Sequence, residues 1–514
     1  MKKIFLILFA ALLVSTMILS GYAESKEPVR GGILRVIYGP GHNDLSYAPD
    51  MSMTDEFNAK GYVETLVSWD GKGEFVPNLA ESWNLDPKNK TITFHLRKGV
   101  KFHDGTDLNA EAIRWNMQLM LDNKRFINGQ ALNPTKPFEV LDNYTFRFNL
   151  SQWLSPSVML HSYAYVAQIY SPTAFKKNGK QWCYTHFVTT GPFKFVSFER
   201  DVLLKMERFD GYWRKGYPLL DGVEFIYVAD PMTAAAKMQA KEADEWVGPP
   251  LKEAVDLEKT GFAFKAKNNM FNDIVPDNKT PGSVYQKKEV REAIEYALNR
   301  PAIAKGLGYG KLRPMNQMAP EGTQGYNPNY TGRPYNPDKA RQLLKAAGYP
   351  NGFKTKMLVL QMPTSQDLAV AIQKYLKDVG IEVELDVADP GRFFGKMYKD
   401  GWDGNLLLMM VPVDPEYAIG WLVHFGPQPI VFYSSLQWPE KYSELVNKVY
   451  FSSDRASLAQ ATKEMIMYVN EEAMIIPVTQ DIGTSYVAQP YVHTDRLDQH
   501  FMVWYAYKDW MEKH

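Results

Sequence analysis

Residues 79–106 read LAESWNLDPKNKTITFHLRKGVKFHDGT and contain the local pattern from which the fold class follows. Within them, residues 91–97 alternate apolar and polar side chains, which is the period-2 pattern of a half-buried strand. Trp83 is expected to pack in a core, and Asp104-Gly105 predicts a hairpin-like turn. The helix predicted after this turn has its apolar side chains on one face, at Ile113, Met117, Met120 and Leu121.

Further strands are predicted on both sides of this stretch. Residues 31–37 form a first strand after a charged start, and residues 145–150 form another. A strand over residues 223–228 ends before a turn predicted at Asp230-Pro231.

Residues 365–385 show the clearest passage from helix to strand. Ser365 is expected to cap a helix that Gly380 ends, and residues 381–385 form a strand directly afterwards. The core face of this helix comprises Leu368, Ile372, Tyr375, Leu376 and Val379. A helix and a strand joined by one glycine are typical of an α/β layer, so we predict an α/β protein.

The composition is that of an ordinary globular protein with more than one domain. The chain has 514 residues, and at roughly 100–200 residues per domain this length predicts two to four domains. Its 58 basic and 58 acidic side chains balance to a net charge of zero. Nucleic-acid binding needs a basic excess or a basic stripe, so we expect no nucleic-acid partner. Aromatic residues make up 13%, and such side chains fill cores or line ligand sites.

The N-terminus has the pattern of an export signal. Lys2 and Lys3 precede an apolar stretch over residues 4–19. Gly21 and Ala23 provide the small side chains that signal peptidase needs at positions −3 and −1. We therefore expect residues 1–23 to be a signal peptide that is removed before Glu24, although a membrane anchor is the alternative interpretation.

The same segment bears on lipid attachment. Leu19-Ser20-Gly21 resembles the start of a bacterial lipoprotein box, which requires Cys at the next position. This chain has Tyr22 there, and a phenol cannot accept the lipid thioether. We predict a periplasmic or extracellular protein that is soluble after cleavage and is not lipid-anchored.

Residue patterns for catalysis or for cofactor binding are missing from the sequence. Residues 306–311 superficially resemble a phosphate loop, but Lys305 and Leu312 break the Walker pattern, so a helix end and a turn are expected. The nine His residues form no metal-binding pair by spacing. Glu471-Glu472 points to two sides of a helix, and the single Cys183 is expected to be a buried, inert thiol. We expect no catalytic residue, no metal and no cofactor, and hence a binding protein rather than an enzyme.

Several motifs together resemble the family 5 extracellular solute-binding proteins of ABC importers, which include peptide-, nickel- and oligosaccharide-binding proteins. These motifs follow one another over nearly the whole mature chain, at residues 79–83, 93–106, 190–195, 290–300, 335–350 and 380–383. One departure is Asn299, which stands where the family usually has Asp. Each motif is interpreted as scaffold, so the motifs indicate the fold and not the ligand.

The resemblance implies a two-lobed periplasmic-binding-protein fold, the Venus flytrap, of the large cluster C type with an extra accessory domain. Ligand binds between the lobes, and closure of a hinge completes the site. The implied division is a discontinuous lobe I at 29–68, 188–285 and 486–514, an accessory domain at 69–187 and lobe II at 286–485.

Residues 406–414 contain the strand that the resemblance places at the ligand. The peptide-binding branch of the family has an acidic residue there, in a pattern like Asp-Tyr-x-Asp-Pro, which pairs with the peptide's α-amino group. This chain keeps Asp414 of that pattern but has Val411 at the amine-pairing position. Met409, Met410 and Val411 are expected to face the cleft at the strand's C-terminal end, and residues 406–408 are expected to be buried.

Other candidates for ligand contact come from elsewhere in the chain. Tyr38 and His42 follow the first strand, and the resemblance places Arg125 and Phe126 where the nickel-binding branch has an Arg. Arg125 has a solvated surface charge as its alternative interpretation. Trp246 and Trp402 are predicted either to be platforms for a ring or to be core residues.

The ligand is a small molecule of open identity: a peptide, an oligosaccharide, a chelate or an organic acid. Because Val411 cannot pair with an amine, simple peptides are expected to bind weakly. A neutral or anionic ligand is expected, with an apolar or ring portion on Met409, Met410 and Trp402 and a carboxylate on Arg125. The expected partners are the membrane permease subunits of the importer, and the protein is expected to be a monomer. A solute sensor or chaperone with the same fold is the alternative function, and a secreted hydrolase is the other.

Overall fold

A computed structural model describes residues 27–513 except 71–73, 127, 166, 269, 324, 413–432, 495 and 497–503. The predicted signal peptide, residues 1–23, and the candidate Asp414 lie outside the described residues. Within the described ranges, no helix has both the length and the hydrophobicity that crossing a bilayer requires.

Strands and helices alternate along most of the chain. The strands, in chain order, are β1 Ile33–Tyr38, β2 Glu64–Thr65, β3 Val67–Trp69, β4 Phe75–Pro77, β5 Ala80–Asp86, β6 Thr91–Leu96, β7 Phe138–Asp142, β8 Thr145–Asn149, β9 Gln168–Ile169, β10 Phe193–Glu199, β11 Leu203–Arg208, β12 Gly222–Tyr227, β13 Glu245–Val247, β14 Ala263–Lys267, β15 Met270–Pro276, β16 Arg313–Pro314, β17 Phe353–Leu360, β18 Ile381–Ala388, β19 Leu406–Pro412, β20 Ile476–Asp481, β21 Thr484–Ala488, β22 Val492–His493 and β23 Trp510–Met511. The α-helices are α1 Met53–Ala59, α2 Ala110–Asp122, α3 Pro156–Leu160, α4 Pro172–Asn178, α5 Lys180–Cys183, α6 Pro231–Gln239, α7 Leu251–Lys259, α8 Lys288–Ala297, α9 Arg300–Leu307, α10 Pro337–Ala346, α11 Pro363–Lys377, α12 Pro390–Gly395, α13 Glu440–Tyr450 and α14 Arg455–Glu471.

The first large sheet has seven strands in the order β10-β11-β12-β1-β13-β21-β14. β1 lies near its centre and pairs in parallel with β12 and β13. Its side chains Leu34, Val36 and Ile37 are fully buried, as expected for a strand that is covered on both faces. The predicted strands over residues 31–37 and 223–228 are therefore confirmed in type.

The second large sheet has six strands in the order β16-β20-β15-β19-β17-β18. One face is covered by a core that includes Ile372 of α11 and Val290 of α8, and the opposite face belongs to a second core that includes Val411. Buried positions on both faces explain why residues 406–408 form a continuous apolar run.

The quoted stretch at 79–106 lies in a third, four-stranded antiparallel sheet in the order β5-β6-β8-β7. Trp83 of β5 is half-buried and packs against the core, and α2 follows with its N-terminus capped by the Asn109 side chain. Gly105 has a φ of +82°, which a turn residue without a Cβ adopts at no steric cost. The predicted strand, turn and helix are all present.

Two predictions about helix boundaries are wrong. Asp230 does not form a simple turn, because its carboxylate accepts the N–H of Thr233 and caps α6. Ser365 does not cap α11, which begins two residues earlier at Pro363, a residue whose fixed φ suits the first helical position. The predicted end of this helix is confirmed, since Gly380 has a φ of +95° directly before β18.

The three sheets are joined by short connections and direct contacts. Connections of two residues lead from β14 to β15 and from β20 to β21, and they join the seven-stranded sheet to the six-stranded one. The four-stranded unit contacts α13 through the N–H of Ser155, which donates to the carbonyl oxygen of Tyr450 over 2.6 Å. β15 belongs to the six-stranded sheet, although the predicted lobe I extends to residue 285. The division into lobes stays a prediction.

Candidate functional site

The strand β19 contains three of the predicted ligand contacts, Met409, Met410 and Val411. Its pleat separates the three candidates, because successive side chains point to opposite faces. Val411 is 1% exposed and Met409 is half-buried, and both pack on the core that also contains Trp402. Met410, also half-buried, projects from the other face. The three side chains therefore cannot all line one surface, as the sequence interpretation assumed.

Trp402 is packed inside the same core as Val411. Its ring lies edge-on to Tyr433, with centroids 6.3 Å apart, and it is 3% exposed. The indole N–H has no hydrogen-bond partner. This nitrogen is a donor with unused capacity beside β19.

Trp246 lies away from this group. It is 4% exposed and packs with Met238 and Leu257, where α6 and α7 cover the seven-stranded sheet. Of the two interpretations of the sequence, its surroundings correspond to the core residue. Whether any of these side chains contacts ligand stays a prediction.

Tyr38, at the end of β1, belongs to a buried charged network. Its hydroxyl accepts a hydrogen bond of 3.1 Å from Arg496, whose guanidinium also binds Glu245 over 2.7 and 3.1 Å. Burial raises the pKa of the Tyr38 hydroxyl. Arg496 also lies over the ring of Trp504, 3.7 Å from its centroid. The Arg496–Glu245 ion pair is therefore buried against an aromatic ring.

His42 lies close to this network, in the loop after β1. Its Nδ1 is 2.7 Å from the Tyr227 hydroxyl, and its Nε2 is 3.4 Å from that of Tyr62. Burial lowers the pKa of His42 to about 4, so the ring is neutral at physiological pH. It can orient a polar network but does not present a positive charge to a ligand.

Arg125 and Phe126 have opposite environments, although they are neighbours after α2. Phe126 is 5% exposed and packs on Phe138 and Tyr163 in the core beside the four-stranded sheet. Arg125 is 39% exposed, and its Nη2 donates to the Met51 carbonyl at 3.0 Å and to Glu56 at 3.3 Å.

Tyr398 is a residue that the sequence analysis missed. It follows α12, beside the six-stranded sheet, and is 40% exposed. Burial of the hydroxyl raises its pKa, and the charge of Arg125 acts in the opposite direction. The electrostatic effect of Arg125, which follows α2, on Tyr398, which follows α12, links two parts of the chain that are far apart in sequence. In the sequence, the only sign of a possible role for Tyr398 is that it ends an aromatic-rich segment, residues 390–398, which follows a strand.

Two features bear on catalysis and metal binding. The thiol of Cys183 is buried, which raises its pKa and makes it a poor nucleophile. Among the described residues, no three His, Cys, Asp or Glu side chains form a group that could hold a metal ion. Residues 306–311 contain the end of α9 and a turn, as predicted.

Comparison with known proteins shows matches along most of the chain. Residues 74–424 match the family described as bacterial extracellular solute-binding proteins, family 5 middle. The glutathione-binding protein GsiB of Shigella flexneri is 32% identical over 414 residues, which cover 79% of this chain and 78% of that protein. GsiB of Escherichia coli K12 is 31% identical over the same shares of the two chains.

Solved structures share the fold. The binding protein AgaA from A. tumefaciens R10, in complex with agropinic acid, aligns with a TM-score of 0.80 at 24% identity and covers 94% of this chain and 99% of its own. NikA from Brucella suis, in complex with Fe(III)-EDTA, also aligns with a TM-score of 0.80, at 20% identity, and covers 94% and 100% of the two chains. The α/β periplasmic-binding-protein fold is therefore confirmed. The chain belongs to the bacterial extracellular solute-binding proteins of family 5, the solute-binding receptors of ABC importers.

Proposed function

We propose that this protein captures a small organic solute, neutral or anionic overall, and delivers it unchanged to the permease of an ABC importer. The observation that supports this most is that the positive charge of Arg125 acts to lower the pKa of the Tyr398 hydroxyl, although the two residues follow different helices, α2 and α12. A guanidinium and a phenol hydroxyl together donate hydrogen bonds to a carboxylate. A solute that bridges them contacts both parts of the chain at once and so favours the closed arrangement.

The apolar part of the solute rests against β19 in this proposal. Met409 and Val411 lie on the same face of that strand, and the Trp402 N–H is an unused donor in the same core. Met410 points away from this face, so it is left out of the proposed site. Tyr38, His42, Phe126 and Trp246 support the site from their cores and networks.

Glutathione and agropinic acid, which the names of two similar proteins mention, both carry carboxylate groups. This chemistry fits an Arg125-centred site. Reduced glutathione and carboxylated amino-acid derivatives are therefore the first solutes to test, followed by short peptides, oligosaccharides and nickel chelates.

Capture requires that the units move relative to one another. We place the hinge at the short connections from β14 to β15 and from β20 to β21, which join the two large sheets. With β15 assigned to lobe II, lobe I ends near residue 268 and not at 285. Hinges of this kind are short segments that absorb the change in backbone angles.

Calorimetry on purified protein tests the proposal. A thermal-shift screen of the solutes above identifies a ligand, and titration of Arg125→Gln is expected to lower the affinity for a carboxylated ligand at least about tenfold, because a charged hydrogen bond is lost. Arg114→Gln is the matched control, since Arg114 lies on α2 in an exposed pair with Glu111.

Two results would contradict the proposal. Equal affinities of Arg125→Gln and wild type for every carboxylated ligand would remove Arg125 from the site. Conversion of a bound solute into a product would show an enzyme, and uptake that is unimpaired when the protein is deleted would favour the sensor or chaperone alternative.

A further inference from the structure

Asp273, in the middle of β15, is a buried acid without a partner. The residue is 0% exposed, and among the residues that the structure describes neither oxygen of its carboxyl group has a hydrogen-bond partner. Burial raises the pKa of this carboxyl well above its usual value. An orphaned acid of this kind is destabilising, so its presence calls for a reason other than folding.

Asp277, one residue beyond the end of β15, is a buried acid whose carboxylate oxygens both accept hydrogen bonds. It too is 0% exposed. Its Oδ1 accepts the N–H groups of Lys279 and Thr280 at 3.1 and 2.9 Å, and its Oδ2 accepts the Thr280 hydroxyl at 2.8 Å and the Gly404 N–H at 2.7 Å. Two equally buried acids four residues apart therefore differ completely in their partners.

The register of the sheet places Asp273 beside the amine-pairing position of the family. Asp273 lies directly opposite Met409, and Phe271 lies opposite Val411. Residues opposite each other on antiparallel strands share a face, and diagonal neighbours lie roughly 7–8 Å apart. The Asp273 carboxyl therefore lies on the same face as Val411, within the reach of one ligand group.

The other neighbour of Asp273 offers it no donor. On β20 the residue opposite is Pro477, which has no N–H, and the register shifts between Asn272 and Asp273. Such bulges re-aim a side chain and are common beside functional sites. The extra residue of this bulge is Val478 of β20, which lies between the residues opposite Asn272 and Asp273.

We propose that Asp273 pairs with a protonated amine of the bound solute and replaces, from the neighbouring strand, the acid that peptide-binding relatives have at the position of Val411. This inference rests on the proposed function and deepens it: the solute carries an amine in addition to its carboxylate. An ammonium group supplies the charged N–H donors that both orphaned oxygens lack. From Val411 alone, ligands that carry an amine were expected to bind weakly. With Asp273 on the same face, such ligands are expected to bind.

The first arm of the test uses protein without ligand. If Asp273 serves a ligand, then Asp273→Asn is expected to raise the midpoint of thermal unfolding at neutral pH by about 2 °C or more, since the ionisable orphan is removed. The control Asp277→Asn is expected to lower it. A midpoint that falls in Asp273→Asn would show a structural acid and overturn the inference.

The second arm uses calorimetry with reduced glutathione and its N-acetylated form, each titrated into wild type, Asp273→Asn and Asp277→Asn. Wild type is expected to bind the free amine at least tenfold more tightly than the blocked one. Asp273→Asn is expected to lose this preference and to bind the blocked form as wild type does. The double variant Asp273→Leu/Val411→Asp is expected to regain the preference, because an acid returns to the same face.

The remaining outcomes separate this inference from the proposed function. Equal binding of the free amine by wild type and Asp273→Asn overturns the inference, as does an equal loss for both solute forms. If wild type binds only solutes without an amine, the inference is overturned and the proposed function stands. If it binds no solute of the screen, both are contradicted.

Discussion

At the scale of single residues, Asp44 couples the stability of the fold to pH. It is 3% exposed, and its Oδ1 accepts the N–H groups of Ser46 and Tyr47, whereas Oδ2 has no partner. Burial raises the pKa of Asp44 to about 7. In the unfolded chain an Asp ionises near pH ~3.9, so the native state binds the proton more tightly. The stability that this provides is present below about pH 4 and is lost as the pH rises through 7.

Asp44→Asn is expected to remove this dependence. The variant keeps an acceptor for Ser46 and Tyr47 but does not ionise, so its stability relative to wild type should increase between pH 4 and pH 7.5 by about 2 kcal/mol or more. Urea unfolding at several pH values measures the difference. A difference that is the same at pH 4 and pH 7.5 would contradict the buried ionisation.

The hydrogen-bond partners of single residues could not be predicted from the sequence. The family motif at residues 290–300 indicates scaffold around Arg291, but the sequence does not reveal that the Arg291 guanidinium donates to the carbonyl oxygens of Tyr285, Glu472 and Ala473. Asp273 is one of two adjacent polar residues, with Asn272, in an otherwise apolar strand. Its missing partners become apparent only when β19 and β20 are placed beside it.

At the scale of elements, the Thr189–Pro192 segment joins the seven-stranded sheet to the chain after α1. Thr190 donates its hydroxyl to the buried Glu64 at 2.8 Å. Gly191 lies so close to this chain that a Cβ built on it would be 2.1 Å from the Tyr62 carbonyl oxygen. The family's Thr-Gly-Pro motif therefore requires glycine for a close approach of two backbones.

Gly191→Ala is expected to destabilise the protein by about 3 kcal/mol or more, because backbone and not a flexible side chain must move. Gly306→Ala is the matched control. A Cβ at Gly306, in the helix α9, meets nothing within 4 Å, so this change should be neutral or slightly stabilising. Denaturant midpoints compare the two variants, and similar midpoints would refute the close-approach argument.

Element types were predictable where hydrophobic periodicity is strong. Residues 91–97 and the face of α2 follow period 2 and period 3.6, and both elements are present. Helix starts were less predictable, because Asp230 and Ser365 are compatible with caps and with turns alike. The bulge at Asp273 has no local signal, since it depends on how two distant strands align.

At the scale of the whole molecule, the chain ends are tied to distant partners. Arg496 and Glu245 are 251 residues apart in sequence and form a fully buried ion pair. Such pairings, like the strand order of each sheet, do not follow from any local pattern in the sequence. The family motifs accordingly predicted the architecture well but did not identify the ligand.

The N-terminal pattern leads to a prediction for the exported chain. Mature protein is expected to begin at Glu24, because Gly21 and Ala23 suit signal peptidase, and to stay in the supernatant after membranes are pelleted. N-terminal sequencing and fractionation check both points. Tyr22→Cys completes the lipoprotein box and is expected to shift the protein to the membrane pellet. A mature wild-type chain that retains Lys2 would refute the cleavage.

The position of β21 has a consequence for the order in which this protein is made. β13 and β14 each pair with β21. Residues 484–488, which form β21, are synthesised after more than nine-tenths of the chain. β14 therefore has no β21 to pair with during most of synthesis. The seven-stranded sheet therefore cannot be completed while most of the chain is still being synthesised. Because its seven-stranded sheet lacks β21 until late in synthesis, the chain stays unfolded enough to pass through a narrow translocation pore.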